Sequence, residues 1–128
     1  MFLSIEIESE EPIYRQLMKQ LLCGIAHGEL QPGEQLASVR QLASDLGINM
    51  HTVNKAYTLL KQYGYLVSNR QKGMTVASEI PQANDIFKQK LREILEDALC
   101  EAACRNMNKN EVMALCEEVY NDLSGGEK

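Results

Sequence analysis

Asn49, Met50, His51, Thr52, Asn54 and Lys55 crowd one short stretch of the chain, and Val53, Ala56, Tyr57 and Leu60 interleave with them at helical spacing. One side of such a helix is apolar; the other carries groups suited to reading a base-pair edge. An Asn carboxamide donates and accepts at once, which matches adenine. A Thr methyl packs on thymine, and His or Lys reaches guanine or phosphate. Ser38 and Arg40 precede this stretch, and Arg70, Lys72 and Gly73 follow it. An arginine is suited to bidentate phosphate or guanine recognition, and a glycine lets backbone approach a groove closely.

Each residue also has a plainer role. Asn49 suits a helix cap, and an outer polar face is often only solvated. Arg40 can pair with Asp45, and His51 forms no metal set with the distant His27. Tyr14, Tyr57, Tyr63 and Tyr65 suit packing better than base stacking. Cys100 and Cys104 stand one helical turn apart, and Cys116 can face them. Either they form a three-thiolate site, or they are small apolar groups on the inner face of a helical hairpin.

The elements that must hold these groups are legible in the pattern. Pro12 opens a first helix with Ile13, Leu17, Leu21 and Ile25 on one side, and Gly28 closes it. Leu30-Gln31-Pro32-Gly33 is a turn. Ser38 caps a second helix with Val39, Leu42, Ala43 and Leu46 inward, and Gly47 ends it. Asn49 caps the third, which Gly64 closes. Helix, glycine turn, helix is the order of a helix-turn-helix. Tyr65-Leu66-Val67 and Met74-Thr75-Val76-Ala77 then predict a hairpin with a basic tip at Asn69–Gly73.

Pro81 marks a boundary. From Ala83, Ile86, Phe87, Leu91, Ile94, Leu95, Ala98, Leu99 and Ala102 recur as an amphipathic helix. Asn108 with Glu111 is a capping box for another, striped by Val112, Leu115, Cys116, Val119, Tyr120 and Leu123. The tail Ser124–Lys128 is expected to fray.

Charge follows the same division. The whole chain carries −5, which alone argues against a polyanionic partner. Yet residues 38–76 carry five bases against the single acid Asp45, net +4, while residues 81–128 carry net −4. With 45% hydrophobic residues the chain can build a core. No window is long and apolar enough for a membrane span, and the N-terminus alternates apolar and acidic residues, unlike a signal peptide. A cytoplasmic protein with reduced thiols is expected. No Walker loop, GxSxG, HExxH or His–carboxylate pair is present, so catalysis is not expected, nor any cofactor.

The residues also resemble a known family. Pro12-Ile13-Tyr14-Arg15-Gln16-Leu17, Gly24 to Leu36, Ser38-Val39-Arg40-Gln41-Leu42-Ala43, Leu46-Gly47-Ile48-Asn49, Thr52 to Tyr57, Gly64-Tyr65-Leu66 and Lys72-Gly73 resemble the GntR family of winged helix-turn-helix regulators across residues 10–78. The short helical remainder looks like its YtrA-type subfamily. The resemblance implies a dimeric, sequence-specific regulator, commonly a repressor, on a palindromic double-stranded operator. It places DNA contacts at Arg40, at Asn49, Met50, His51, Thr52 and Asn54, and at Gly73 of the wing. Two departures bear on the operator: Ala37 stands where Pro is usual, and Met50 where a basic or polar residue is common.

The expected architecture is mainly α with a small β wing. A winged helix occupies residues 1–80 and a two-helix dimerisation extension residues 81–128. Phe87, Leu91, Ile94, Leu95, Leu99, Leu115 and Val119 are its expected contacts with a second copy, since two such helices cannot cover both their apolar faces alone. The extension is too short for a large ligand domain, and the dimer interface is the place left for a small-molecule effector. The competing class is a winged helix used only to bind a protein, which would show no salt-dependent duplex binding.

Overall fold

A computed structural model describes residues 3–123 of the chain; the expected fraying of Ser124–Lys128 lies outside them. The elements follow in the order α1 (Ile13–His27), α2 (Val39–Leu46), α3 (Met50–Gln62), β1 (Leu66–Asn69), β2 (Gly73–Val76), α4 (Asp85–Cys104) and α5 (Lys109–Leu123). The chain divides into two units, Met1–Pro81 and Gln82–Lys128.

In the first unit the local signals fix the helix ends. Ser38 Oγ accepts from the Gln41 N–H at 3.0 Å and Asn49 Oδ1 from the His51 N–H at 2.7 Å, satisfying orphan donors of α2 and α3. At the other end of α2, Gly47 has φ +68, and the Ile48 N–H reaches back to the Ala43 carbonyl at 3.0 Å. That is a left-handed close, which uses carbonyls the helix leaves unpaired.

The apolar faces then meet. α1 and α2 both pack against α3, and α3 against β1. Leu17 and Leu21 of α1, Leu42 and Ala43 of α2, and Val53, Ala56, Tyr57 and Leu60 of α3 form the core with Leu30, Leu36, Leu66 and Val76. Val53, Ala56 and Leu60 are wholly buried, so the inner face of α3 is pinned and its polar face is fixed in direction.

β1 and β2 pair antiparallel, Leu66 opposite Val76 and Asn69 opposite Gly73. The sequence reading missed a third edge. Gly33, expected as the end of a turn, and the next three residues to Leu36, for which no element was expected, lie along β2. The Gly33 N–H donates to Val76 O at 2.8 Å, Leu36 N–H to Met74 O at 2.9 Å, and Val76 N–H to Glu34 O at 2.9 Å. Gln35 and Thr75 form the bridge. The wing is therefore tied back to the α1–α2 connection and does not hang on its own turn.

Gly64 is fixed by two constraints. It sits at φ +90 after α3, where the Tyr65 N–H closes onto Leu60 O at 2.9 Å. A Cβ there would lie 2.6 Å from Cγ of the Pro81 ring. Left-handed strain and overpacking add, so Gly64→Ala should cost about 2–4 kcal/mol in a urea melt. A loss under about 0.5 kcal/mol, the range of an ordinary surface change, would refute this reading.

The N-terminal segment is strapped to α1 by two glutamines one turn apart. Gln16, buried, accepts from the Glu6 N–H at 2.9 Å and donates to the Glu6 and Glu11 carbonyls at 3.0 and 2.9 Å. Gln20 accepts from the Ser4 N–H at 2.9 Å and donates back to the Ser4 carbonyl. Each carboxamide thus meets the backbone as a strand edge would.

In the second unit, α4 starts two residues later than expected from Ala83, because Asn84 Oδ1 caps it by accepting from the Phe87 N–H at 2.8 Å. Asn106, at φ +66, turns the chain between the helices. The predicted capping box is complete: the Asn108 N–H donates to Glu111 and the Glu111 N–H to Asn108, both at 2.9 Å. No residue of α4 or α5 is buried. Leu95, Leu99, Ala102, Val112, Leu115 and Val119 line an open apolar groove of about 300 Å³ that also takes in Cys116.

That arrangement corrects the reading of the cysteines. Cys100 and Cys104 are exposed and stand outside this groove, so they are not part of an inner apolar face. Among the described residues no group of three or more His, Cys, Asp or Glu side chains is arranged to hold a metal. No described helix is long and apolar enough to cross a membrane.

Candidate nucleic-acid interface

The N-termini of α2 and α3 open onto the same shallow depression, about 420 Å³, lined by Ser38, Val39, Arg40, Met50, His51 and Asn54. Five of the residues singled out from sequence thus come together from two helices. These residues belong to the starts of two helices, and a helix start favours an anion through its N–H groups and dipole. The caps leave donors over. Ser38 Oγ accepts from the chain and keeps its proton for an outside acceptor; Asn49 uses Oδ1 and keeps its Nδ2 hydrogens.

Arg40 is exposed, and among the described residues no carboxylate lies within ion-pair distance of it. The alternative partner Asp45 instead accepts from the Gln41 side chain at 2.7 Å. An unpaired guanidinium at the rim of a helix-terminus depression loses no internal contact when it turns to an external anion. Met50 is 39% exposed, an apolar group offered to solvent in the first turn of α3. Thr52 is half-buried beside these groups, on the first turn of the same helix.

Lys55 behaves differently. Its ammonium sits 4.0 Å from the centroid of the Tyr14 ring of α1. The cation–π contact holds the charge on the flank of α3, away from the depression, and Lys55 does not line it.

The wing residues form a second cluster at the hairpin tip. Arg70, Gln71 and Lys72 make the loop, all exposed, and Gly73 takes φ +81 as β2 begins. Asn69, which sequence reasoning treated only as a turn residue, organises this tip. Its Oδ1 accepts from the Gln71 and Lys72 N–H groups, both at 2.9 Å. An Asx turn of this kind is signalled by Asn at the mouth of a short hairpin.

Tyr57 joins the depression to the core. The phenol is 2% exposed and donates to the Ala37 carbonyl at 2.8 Å, one residue before the Ser38 cap. The start of α2 is therefore anchored on the inner face of α3. Burial pushes this phenol up to about 12. The neutral form is thus favoured in the folded state; its stabilisation is complete below pH 10 and is lost as pH rises from 10 to about 12. Wild-type protein should show an alkaline loss of about 1–2 kcal/mol in this window. Tyr57→Phe should abolish that step and cost about 1–2 kcal/mol at neutral pH by stranding the Ala37 carbonyl. Urea melts at several pH values check both, and an unchanged alkaline step in the variant would contradict the assignment.

A capped helix, a glycine turn, a second helix with a polar outer face, and a basic β wing define a winged helix-turn-helix, a module that docks one helix in the major groove of duplex DNA. Comparison with known proteins agrees. The family described as "Bacterial regulatory proteins, gntR family" matches residues 13–76, half of the chain, and the protein belongs to that family. It is 28% identical to the HTH-type transcriptional repressor YtrA of Bacillus subtilis (strain 168), with 98% of each chain covered. Its structure is similar to a transcriptional antiterminator from Listeria monocytogenes EGD-e, at a TM-score of 0.90 and 29% identity over 100% of this chain and 96% of that one. It is also similar to YtrA from Sulfolobus acidocaldarius, a GntR-family transcription factor, at a TM-score of 0.66 and 42% identity over 78% of this chain and 99% of that one. The DNA-binding domain of AraR in complex with operator ORE1 matches at a TM-score of 0.50 and 26% identity, covering 60% of this chain and 94% of that one. The protein is a DNA-binding transcription regulator of the YtrA-like type and not an enzyme.

Proposed function

We propose that the protein represses transcription by binding a palindromic operator as a homodimer, one winged helix on each half-site. The observation that carries this is the depression shared by the starts of α2 and α3, which brings Ser38, Arg40, Met50, His51 and Asn54 to one surface. In this reading the first turn of α3, with Asn49 and Thr52, enters the major groove and reads base edges. Arg40 and the Ser38 hydroxyl hold phosphate. Arg70, Lys72 and the Gly73 backbone follow the strand or enter the minor groove from the wing. Lys55 supports the site through its seat on Tyr14 and by its charge.

Dimerisation rests on the extension. Phe87, Leu91, Ile94, Leu95, Leu99, Leu115 and Val119 are each between 43% and 65% exposed. So much apolar surface on two helices with no buried residue favours a partner of the same kind, and two-fold symmetry matches a palindrome. The two recognition helices would then meet half-sites one helical turn, or a multiple of it, apart. The name of the Bacillus subtilis relative, a repressor, supports the sign of regulation. A small-molecule effector, where one acts, would work at this interface by favouring one spacing of the two winged helices.

The test is selection of bound sequences from a random duplex pool, followed by titration of the enriched site at two salt concentrations. An enriched palindrome bound more weakly at the higher salt supports the proposal. No enrichment by folded, dimeric protein counts against it and points to a protein partner.

A further inference from the structure

The proposed DNA-binding and dimer surfaces leave one chemically distinctive face unused. Cys100 and Cys104, both free, are exposed on the last turns of α4, a helix with no buried residue. They stand four residues apart on one helix, and Asp97 and Glu93 continue the same face toward the N-terminus at helical spacing. The apolar stripe of α4 runs along the other side: Leu95, Ala98, Leu99 and Ala102 line the groove, and neither cysteine does. The two cysteines therefore lie on a different face of α4 from the groove.

We propose that Cys100 and Cys104 form a two-coordinate site for a soft monovalent d10 cation, of the Cu(I) or Ag(I) kind. The geometry permits it. Side chains one helical turn apart have Cβ atoms about 5–6 Å from each other. Two metal–sulfur bonds of about 2.3 Å span roughly 4.6 Å, so both thiolates reach one ion without unwinding the helix. The ligand set also selects the ion. Thiolates prefer soft cations, and the lack of a third ligand, with no cluster of three or more donors among the described residues, disfavours tetrahedral zinc. The carboxylates of Glu93 and Asp97 attract a cation to this face. On binding, each thiol gives its proton to solvent, so one ion displaces two protons and leaves a bis-thiolate complex with one negative charge. Nothing is oxidised or reduced.

Reduced, full-length protein is titrated without oxygen with Cu(I) supplied as its bicinchoninate complex, with glutathione present in excess as a competitor. The wild type should withdraw one ion per chain. Cys100→Ser and Cys104→Ser should each weaken this by roughly a hundredfold or more, beyond the loss seen when only a supporting group is removed. Cys23→Ser and Cys116→Ser should leave it unchanged, and X-ray absorption should show two sulfur ligands. Circular dichroism shows whether each variant remains helical, and the exposed positions tolerate serine. Any one of four results would overturn the site: no retention against glutathione, equal binding by Cys100→Ser, dependence on Cys116, or half an ion per chain, which would place the metal between two copies.

Discussion

Replacing Leu91 and Leu95 together by glutamine will turn the protein into monomers and weaken binding to a full palindromic operator by roughly a hundredfold or more, the range expected when a second site loses its tether. Both side chains are exposed, at 43% and 44%, on a helix with no buried residue, so the change removes no contact from the core formed around α3. Glutamine is about as good a helix former as leucine, and α4 should persist. What changes is the apolar surface offered to a second copy. Light scattering reads the oligomeric state, and titration on a full site and on a half-site separates the two effects. Half-site affinity should stay at the wild-type monomer value, because the depression between α2 and α3 is untouched. A variant that still scatters as a dimer would remove the extension from the interface.

The contrast between the two units explains how far the sequence could be read. The starts of α2, α3 and α5 were legible because their signals are local. Ser38, Asn49 and the Asn108–Glu111 pair each bond to backbone within three residues. The inner faces of α2 and α3 were legible because period alone sorts them. What escaped depends on contacts distant in sequence. The strand-like pairing of Gly33–Leu36 with β2 spans some forty residues and leaves no periodic mark in so short a segment. The seat of Lys55 on Tyr14 arises only when α1 packs on α3. Asn49 and Asn54 offered the same carboxamide, yet one is half-spent as a cap while the other lines the depression. The straps made by Gln16 and Gln20 of α1 likewise arise only because the N-terminal backbone lies against them. The cysteines show a different limit. Their helical positions were readable, but the expectation of an inner face came from the usual burial of cysteine, and the spacing from Leu99 and Ala102 already sets Cys100 and Cys104 aside.

Arg40→Ala should lower operator affinity by about 1–3 kcal/mol per protomer, the range for one lost charge-assisted contact. The side chain is exposed and makes no ion pair among the described residues, so its truncation should leave the thermal melt in place. This separates it from Tyr57→Phe, which acts through the fold. The salt dependence then tells which contact was lost. If Arg40 binds phosphate, the slope of log affinity against log salt falls by about 0.9 for each protomer, and every sequence weakens alike. If it reads a base, the slope changes less and the enriched motif relaxes at one position of each half-site. Arg40→Lys sharpens the distinction. A phosphate needs charge and accepts lysine in part, whereas a bidentate contact with guanine depends on the planar fork. Unchanged affinity in folded, dimeric Arg40→Ala would leave the rim of the depression without a role in DNA binding. The interface would then have to be built from the first turn of α3 and the wing alone.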